Sequence, residues 1–105
     1  MKERRSQPRL RDTELVMVGW QEGTTRLKQL GNVEDVSLHG MGVLVQQDLP
    51  VGTSVTISYE EEAELAGVVR HHAERESDYF LGIEFAHSSK DSLLHFLPDL
   101  LVRPA

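Results

Sequence analysis

The sequence predicts an all-β domain, either an antiparallel sandwich or a small barrel. Three observations carry that expectation. Apolar and polar residues alternate with a period of two through most of the chain. The alternating runs follow one another at spacings of about ten residues. Gly, Pro and short polar clusters punctuate them, with no helical stretch between. A length of 105 residues, 39% of them apolar, suits one domain with a modest core.

The first run covers 13–20, with Leu15 and Met17 on one face and Val16, Val18 and Trp20 on the other. Gln21-Glu22-Gly23-Thr24 reads as a turn. A second run leads through 25–36, interrupted near Gly31-Asn32, and a third, 41–47, puts Met41, Val43 and Val45 on one face. After the punctuation Leu49-Pro50-Val51-Gly52, the run 54–60 alternates cleanly: Val55, Ile57 and Tyr59 in, Ser54, Thr56 and Ser58 out. The runs 64–74 and 79–86 complete the set, the latter placing Tyr79, Leu81, Ile83 and Phe85 against Phe80, Gly82 and Glu84. Trp20 and the Phe residues read as core. Five to seven short strands result.

The period then changes. Ser88 or Ser89 can cap a helix, and Leu93, Phe96, Leu97 and Leu100 follow helical spacing. Pro98 ends or bends that helix, because it lacks an N–H and clashes with the preceding turn. The expected layout is therefore a single domain: an arm over 1–11, a β-body over 12–87 and a short helix over 88–101.

Composition excludes several classes. The chain has no cysteine, so a disulfide scaffold and any thiolate site are ruled out, and a reducing, cytoplasmic setting is expected. No apolar run approaches the roughly 18 to 20 residues of a membrane span, and the basic N-terminus leads into no signal-like apolar core. The formal charge of −6 argues against general binding to nucleic acid. That charge is unevenly spread. Residues 1–11 hold five basic side chains against one acidic, whereas the remainder holds six basic and sixteen acidic. A basic arm on an acidic body is the first functional clue.

Two motifs carry the chemistry. Arg5 and Arg9 form R-x-x-x-R in the arm; Asp35, Ser37 and Gly40 form D-x-S-x-x-G about 25 residues on. Alone, the first reads as a solvated basic tail and the second as turn chemistry. Together, in this order, before a β-rich body ending in Gly82-Ile83-Glu84-Phe85, they are specific. The chain resembles a PilZ domain, the bacterial receptor module for cyclic di-GMP. The resemblance extends from Arg4 to the C-terminal helix. It implies an all-β, six-stranded antiparallel barrel with a short C-terminal helix and a flexible basic arm that clamps the nucleotide against the barrel.

The residue types suit that ligand on their own terms. Guanine presents O6 and N7 as paired acceptors, which an Arg fork meets with two parallel hydrogen bonds. The guanidinium plane also stacks on bases, and its fixed charge suits phosphate. Asp35 offers two acceptor oxygens to the N1–H and N2–H₂ donors on guanine's other edge. Ser37 can donate to a phosphate or a base, and Gly40 permits either a positive φ or a close approach of backbone to ligand. Arg4 adds a third guanidinium, and the resemblance implies that residues near it influence whether one nucleotide binds or two, as an intercalated dimer. The arm is expected to be mobile when free and ordered by ligand, Pro8 pushing Gln7 toward an extended conformation.

Other residues read more plainly. Arg70 either reaches the ligand or pairs with a carboxylate. His71 and His72 are adjacent on a strand and point to opposite faces, so they cannot share a metal. Glu60, Glu61, Glu62 and Glu64 read as a solvated strand end or turn. No nucleophile elbow, P-loop or HExxH occurs, so neither a catalytic set nor a metal site nor a cofactor is expected. The resulting expectation is a receptor that signals to an unidentified protein partner in trans, in motility, exopolysaccharide or adhesion control. The rival is a PilZ-like adaptor that binds proteins without nucleotide, as in pilus assembly.

Overall fold

The computed structural model describes residues 14–59 and 63–86. Six strands form: β1 (Leu15–Glu22), β2 (Thr25–Val36), β3 (Gly40–Val45), β4 (Ser54–Tyr59), β5 (Ala63–Glu74) and β6 (Tyr79–Phe85). They make one closed antiparallel barrel in the order β1-β2-β3-β6-β5-β4. The choice between sandwich and barrel is thereby decided. The arm over 1–11 and the helix over 88–101 lie outside the described residues. Among the described residues, no helix is long and apolar enough to cross a membrane.

Strict alternation builds the core. Val16, Val18 and Trp20 of β1, Met41, Val43 and Val45 of β3, Val55 and Ile57 of β4, Leu65 and Val69 of β5, and Leu81 and Ile83 of β6 point inward and are buried. Their neighbours at odd offsets face outward, as a pleated strand requires. Trp20 is core, as its period predicts, and its indole Nε1–H donates to Glu22 Oε2 at 3.2 Å. The expected interruption of β2 at Gly31-Asn32 does not occur. Gly31 is buried because its Cα faces Val18, Val43 and Val45, where a larger residue would crowd the barrel interior.

The first hairpin is tighter than the four-residue turn suggests. Glu22 pairs with Thr25 across a two-residue loop, and Gly23 takes φ 64°, the positive value that such right-twisted hairpins need at this position. Closure depends on β1 meeting β4, which it does through three residue pairs only: Met17 with Ser58, Val18 with Ile57 and Gly19 with Thr56.

Two strands carry register shifts, one in β2 between Val33 and Asp35 and one in β5 between Val69 and His71. Each inserts one extra residue, Glu34 or Arg70, which bends its strand and increases the local twist. Strand ends sort into two rims. Glu14, the 37–39 loop, Tyr59 and Ala86 share one rim; the turns at 23–24, 46–53 and 75–78 share the other.

Ile57 is fully buried at the closure seam. Ile57→Ala should destabilise the domain by about 2–5 kcal/mol, the usual range for deleting a buried Ile side chain. Equilibrium urea unfolding measures this directly, and a change below about 1 kcal/mol would mean the seam is not the packed closure described.

Candidate functional site

A simple period of two sends Val33 inward, Glu34 outward and Asp35 inward. The bulge at Glu34 breaks that sequence, and Asp35 pairs instead with Gly42, on the outer face of the barrel. Gly42 pairs in turn with Gly82 of β6, and Gly82 with His71 of β5. One row therefore crosses four strands: Asp35, Gly42, Gly82, His71. The bulge at Arg70 does for His71 what the bulge at Glu34 does for Asp35.

The two central glycines leave room that aromatic rings fill. A β-carbon at Gly42 would lie 2.7 Å from Phe80 Cε1 and 3.0 Å from Asp35 Oδ1. The Phe80 ring and the Asp35 carboxylate are thus both seated against the same Cα. His71 occupies the corresponding space over Gly82. The His71 and Phe80 rings meet edge to face, 6.1 Å apart and 80° inclined, a favourable quadrupole arrangement. Arg75, from the β5–β6 loop, places its guanidinium 5.0 Å from the Phe80 ring centre and 3.9 Å from Glu34. The bulged residue of β2 is thereby tied across the sheet to the ring that covers Gly42.

The 37–39 loop is held by backbone bonds. Ser37 N–H donates to the Gly40 carbonyl at 2.9 Å, and His39 N–H donates to Ser37 Oγ at 3.1 Å. Phe85 N–H donates to the His39 carbonyl at 2.9 Å, pinning the loop to β6. Ser37 Oγ accepts in this turn, so its own hydroxyl proton can still be donated outward. Gly40 serves close approach: a β-carbon there would strike the Ile83 carbonyl. It does not take a positive φ, which among the described glycines belongs to Gly23 and Gly52.

Arg70 donates from Nε to Glu84 Oε1 at 2.6 Å. Glu84 is the cross-strand partner of Gly40, so this ion pair borders the loop. Both side chains are more than half exposed, which leaves Arg70 free to exchange partners at small cost. His71 and His72 do point to opposite faces, and His72 Nδ1 lies 3.0 Å from Asp48 at the far rim. No cluster among the described residues could hold a metal ion. Asp35, Ser37 and Gly40 are brought together; Arg4, Arg5 and Arg9 lie outside the described residues.

Phe80 departs from its reading as core. It sits on the outer face, half-buried, as the alternation of β6 had placed it once the inward set of Leu81 and Ile83 is accepted. An aromatic residue on the solvent face of a barrel, two residues from an outward glycine, was the available signal.

The family model for the PilZ domain matches residues 3–97. The chain belongs to the PilZ domain family. The match spans both motifs and all six strands. No curated protein and no solved structure matches the chain. PilZ domains are binding and receptor modules rather than enzymes, and the family comprises cyclic di-GMP receptors and PilZ-like adaptors.

In this PilZ domain, Gly40→Ala and Gly42→Ala should differ. The first drives a methyl into a backbone carbonyl that cannot rotate away, at about 1–3 kcal/mol. The second meets the edge of the Phe80 side chain, which can swing out, so the loss should be smaller while the ring leaves Asp35. Thermal unfolding ranks the two, and the aromatic NMR signals of Phe80 report its displacement in Gly42→Ala alone.

Proposed function

We propose that this PilZ domain is a cytoplasmic receptor for cyclic di-GMP. The observation that carries the reading is the bulge-directed placement of Asp35 on the outer face, beside Phe80 and one loop away from Ser37. A guanine seated against this face beside Phe80 and His71 would turn its N1–H and N2–H₂ edge to the Asp35 carboxylate. Ser37, with a hydroxyl proton to donate, suits a phosphate. Arg5 and Arg9 supply guanidinium groups for the O6/N7 edge and the phosphates.

Chain geometry supports the arm's share. Val33 N–H donates to the Glu14 carbonyl at 2.9 Å, so the chain enters the barrel two residues from Asp35. Arg9 lies five positions before Glu14. At about 3.3–3.6 Å per extended residue, it can reach some 17 Å from that anchor, enough to cover the row from Asp35 to His71. Arg4, further out, suits a second stacked nucleotide. Arg70 can leave Glu84 for a phosphate at the Gly40 edge. Closing the arm creates a new surface, and a protein partner that reads it would act in trans. Ligand drives that closure only through its differential affinity for the closed form.

Calorimetric titration with cyclic di-GMP tests the reading. We expect two nucleotides per chain, with Arg9→Ala and Asp35→Ala each weakening binding at least tenfold, about 1.4 kcal/mol. Absence of heat with the wild-type chain would leave the nucleotide-independent adaptor as the better account. Amide exchange adds a separate check: protection over residues 2–9 should rise on adding nucleotide, and equal rates with and without it would exclude a clamping arm.

A further inference from the structure

The closed strand order sets the β1–β4 seam opposite the β3–β6 seam that bears Gly42 and Gly82. Full closure leaves a barrel no free strand edge, but this seam closes over part of its length only. Beyond its last pair, Gly19 with Thr56, β1 runs on to Glu22 and β4 reaches back to Ser54 without pairing. A groove of about 870 Å³ opens here. Trp20 and Leu27, which pack with the core, line it together with the outward residues Gln21 and Ser54. Inner and outer residues share one lining because the two strand edges stand apart.

Two hydrogen bonds fix which backbone groups border the gap. Val33 N–H donates to the Glu14 carbonyl, so the even-numbered residues that follow on β1 turn their N–H and C=O toward β2. Val69 N–H donates to the Thr53 carbonyl, so the odd-numbered residues that follow on β4 turn theirs toward β5. Alternation leaves Gln21 of β1 and Ser54 of β4 facing each other across the seam, one rung beyond Gly19 and Thr56, and that rung is not formed. Two N–H donors and two C=O acceptors therefore face the groove. An anion could meet the donors only, and the carbonyls would repel it. An extended peptide meets all four. Successive residues of a strand turn their N–H and C=O to opposite sides, so one residue bonds Gln21 and the next bonds Ser54.

The lining side chains set the character of such a peptide. Arg26, the cross-strand partner of Gln21, and Lys28, the partner of Gly19, line the groove from β2. Both are exposed, and neither makes an ion pair among the described residues, whereas Arg70 and Arg75 both do. Glu64 lines the other end, beside the intact rung of Met17 with Ser58, so the open end is the basic one. In an inserted strand, alternate side chains would turn outward beside Arg26 and Lys28, and the others inward toward Trp20 and Leu27. We propose that this seam takes up an extended segment of a protein partner in which acidic and apolar residues alternate, added as a short strand between the ends of β1 and β4. The seam lies on the far side of the barrel from Gly42 and Gly82, so the docking is independent of the nucleotide reading.

Fluorescence anisotropy of a labelled Glu-Val-Glu-Val-Glu peptide with the full chain tests this. In about 0.15 M salt, a screening length near 8 Å suppresses long-range attraction to the basic stretch 1–11. The peptide should bind the wild type. Methylating its alternate backbone nitrogens removes donors at constant charge and should weaken binding at least tenfold. Arg26→Glu combined with Lys28→Glu should weaken it at least tenfold as well, with circular dichroism and cyclic di-GMP titration unchanged. Arg5→Ala combined with Arg9→Ala should leave peptide binding as it is, and the amide NMR signals of Gln21 and Ser54 should move most on titration. No binding up to about 1 mM peptide overturns the proposal. So does an affinity that survives N-methylation or the charge reversal, or one that is lost with Arg5 and Arg9.

Discussion

Closing six short strands into a barrel is the constraint on which the rest of this molecule depends. β1 and β4 meet through only three residue pairs, so the remaining strands must curl enough to bring those edges together. Two bulges, at Glu34 and Arg70, supply local bending and twist. Each also flips the face assignment of the residue that follows. Asp35 and His71 come to lie on the outside because the strands that carry them were bent for closure. The geometry that completes the core thus also exposes the carboxylate and the imidazole.

The β3–β6 seam shows a second coupling between packing and chemistry. Gly40 lets β3 approach the Ile83 carbonyl, and Gly42 and Gly82 leave a shallow floor that Phe80 and His71 cover. Arg75 then links the ring to Glu34, so the bulge, the ring and the carboxylate form one connected unit. The two rings stand nearly perpendicular to one another beside the Asp35 carboxylate. Side chains already placed in this way would cost a ligand little further ordering. The charge distribution is consistent with this use. The barrel is acidic, and the residues that precede it are basic.

Much of this was legible in the residues. The inward set Val16, Val18, Val55, Ile57, Leu81 and Ile83 follows from alternation alone, and Gly23 announces its turn. The D-x-S-x-x-G spacing marked Asp35, Ser37 and Gly40 as a unit, and the structure brings them together around one short loop. Other features resisted reading. Alternation carried through β2 would have turned Asp35 inward, because a bulge leaves no periodic trace in a single strand. Phe80 was assigned to the core by its residue type, although its position in β6 pointed outward. Gly31 resembled a strand break, and only the crowding from Val18, Val43 and Val45 explains its presence in a continuous strand.

By itself, the sequence determined where the strands run and, up to the two bulges, which face of each is apolar. These are local properties, set by the pleat and by the φ preferences of turn residues, and they need no partner strand to be expressed. Only the tertiary structure decided between sandwich and barrel, located the two bulges, and set Phe80 and His71 beside Asp35. Those outcomes depend on register between strands distant in the chain. Register is fixed when the ring of strands closes, and no residue in β2 encodes what β5 and β6 will place opposite it.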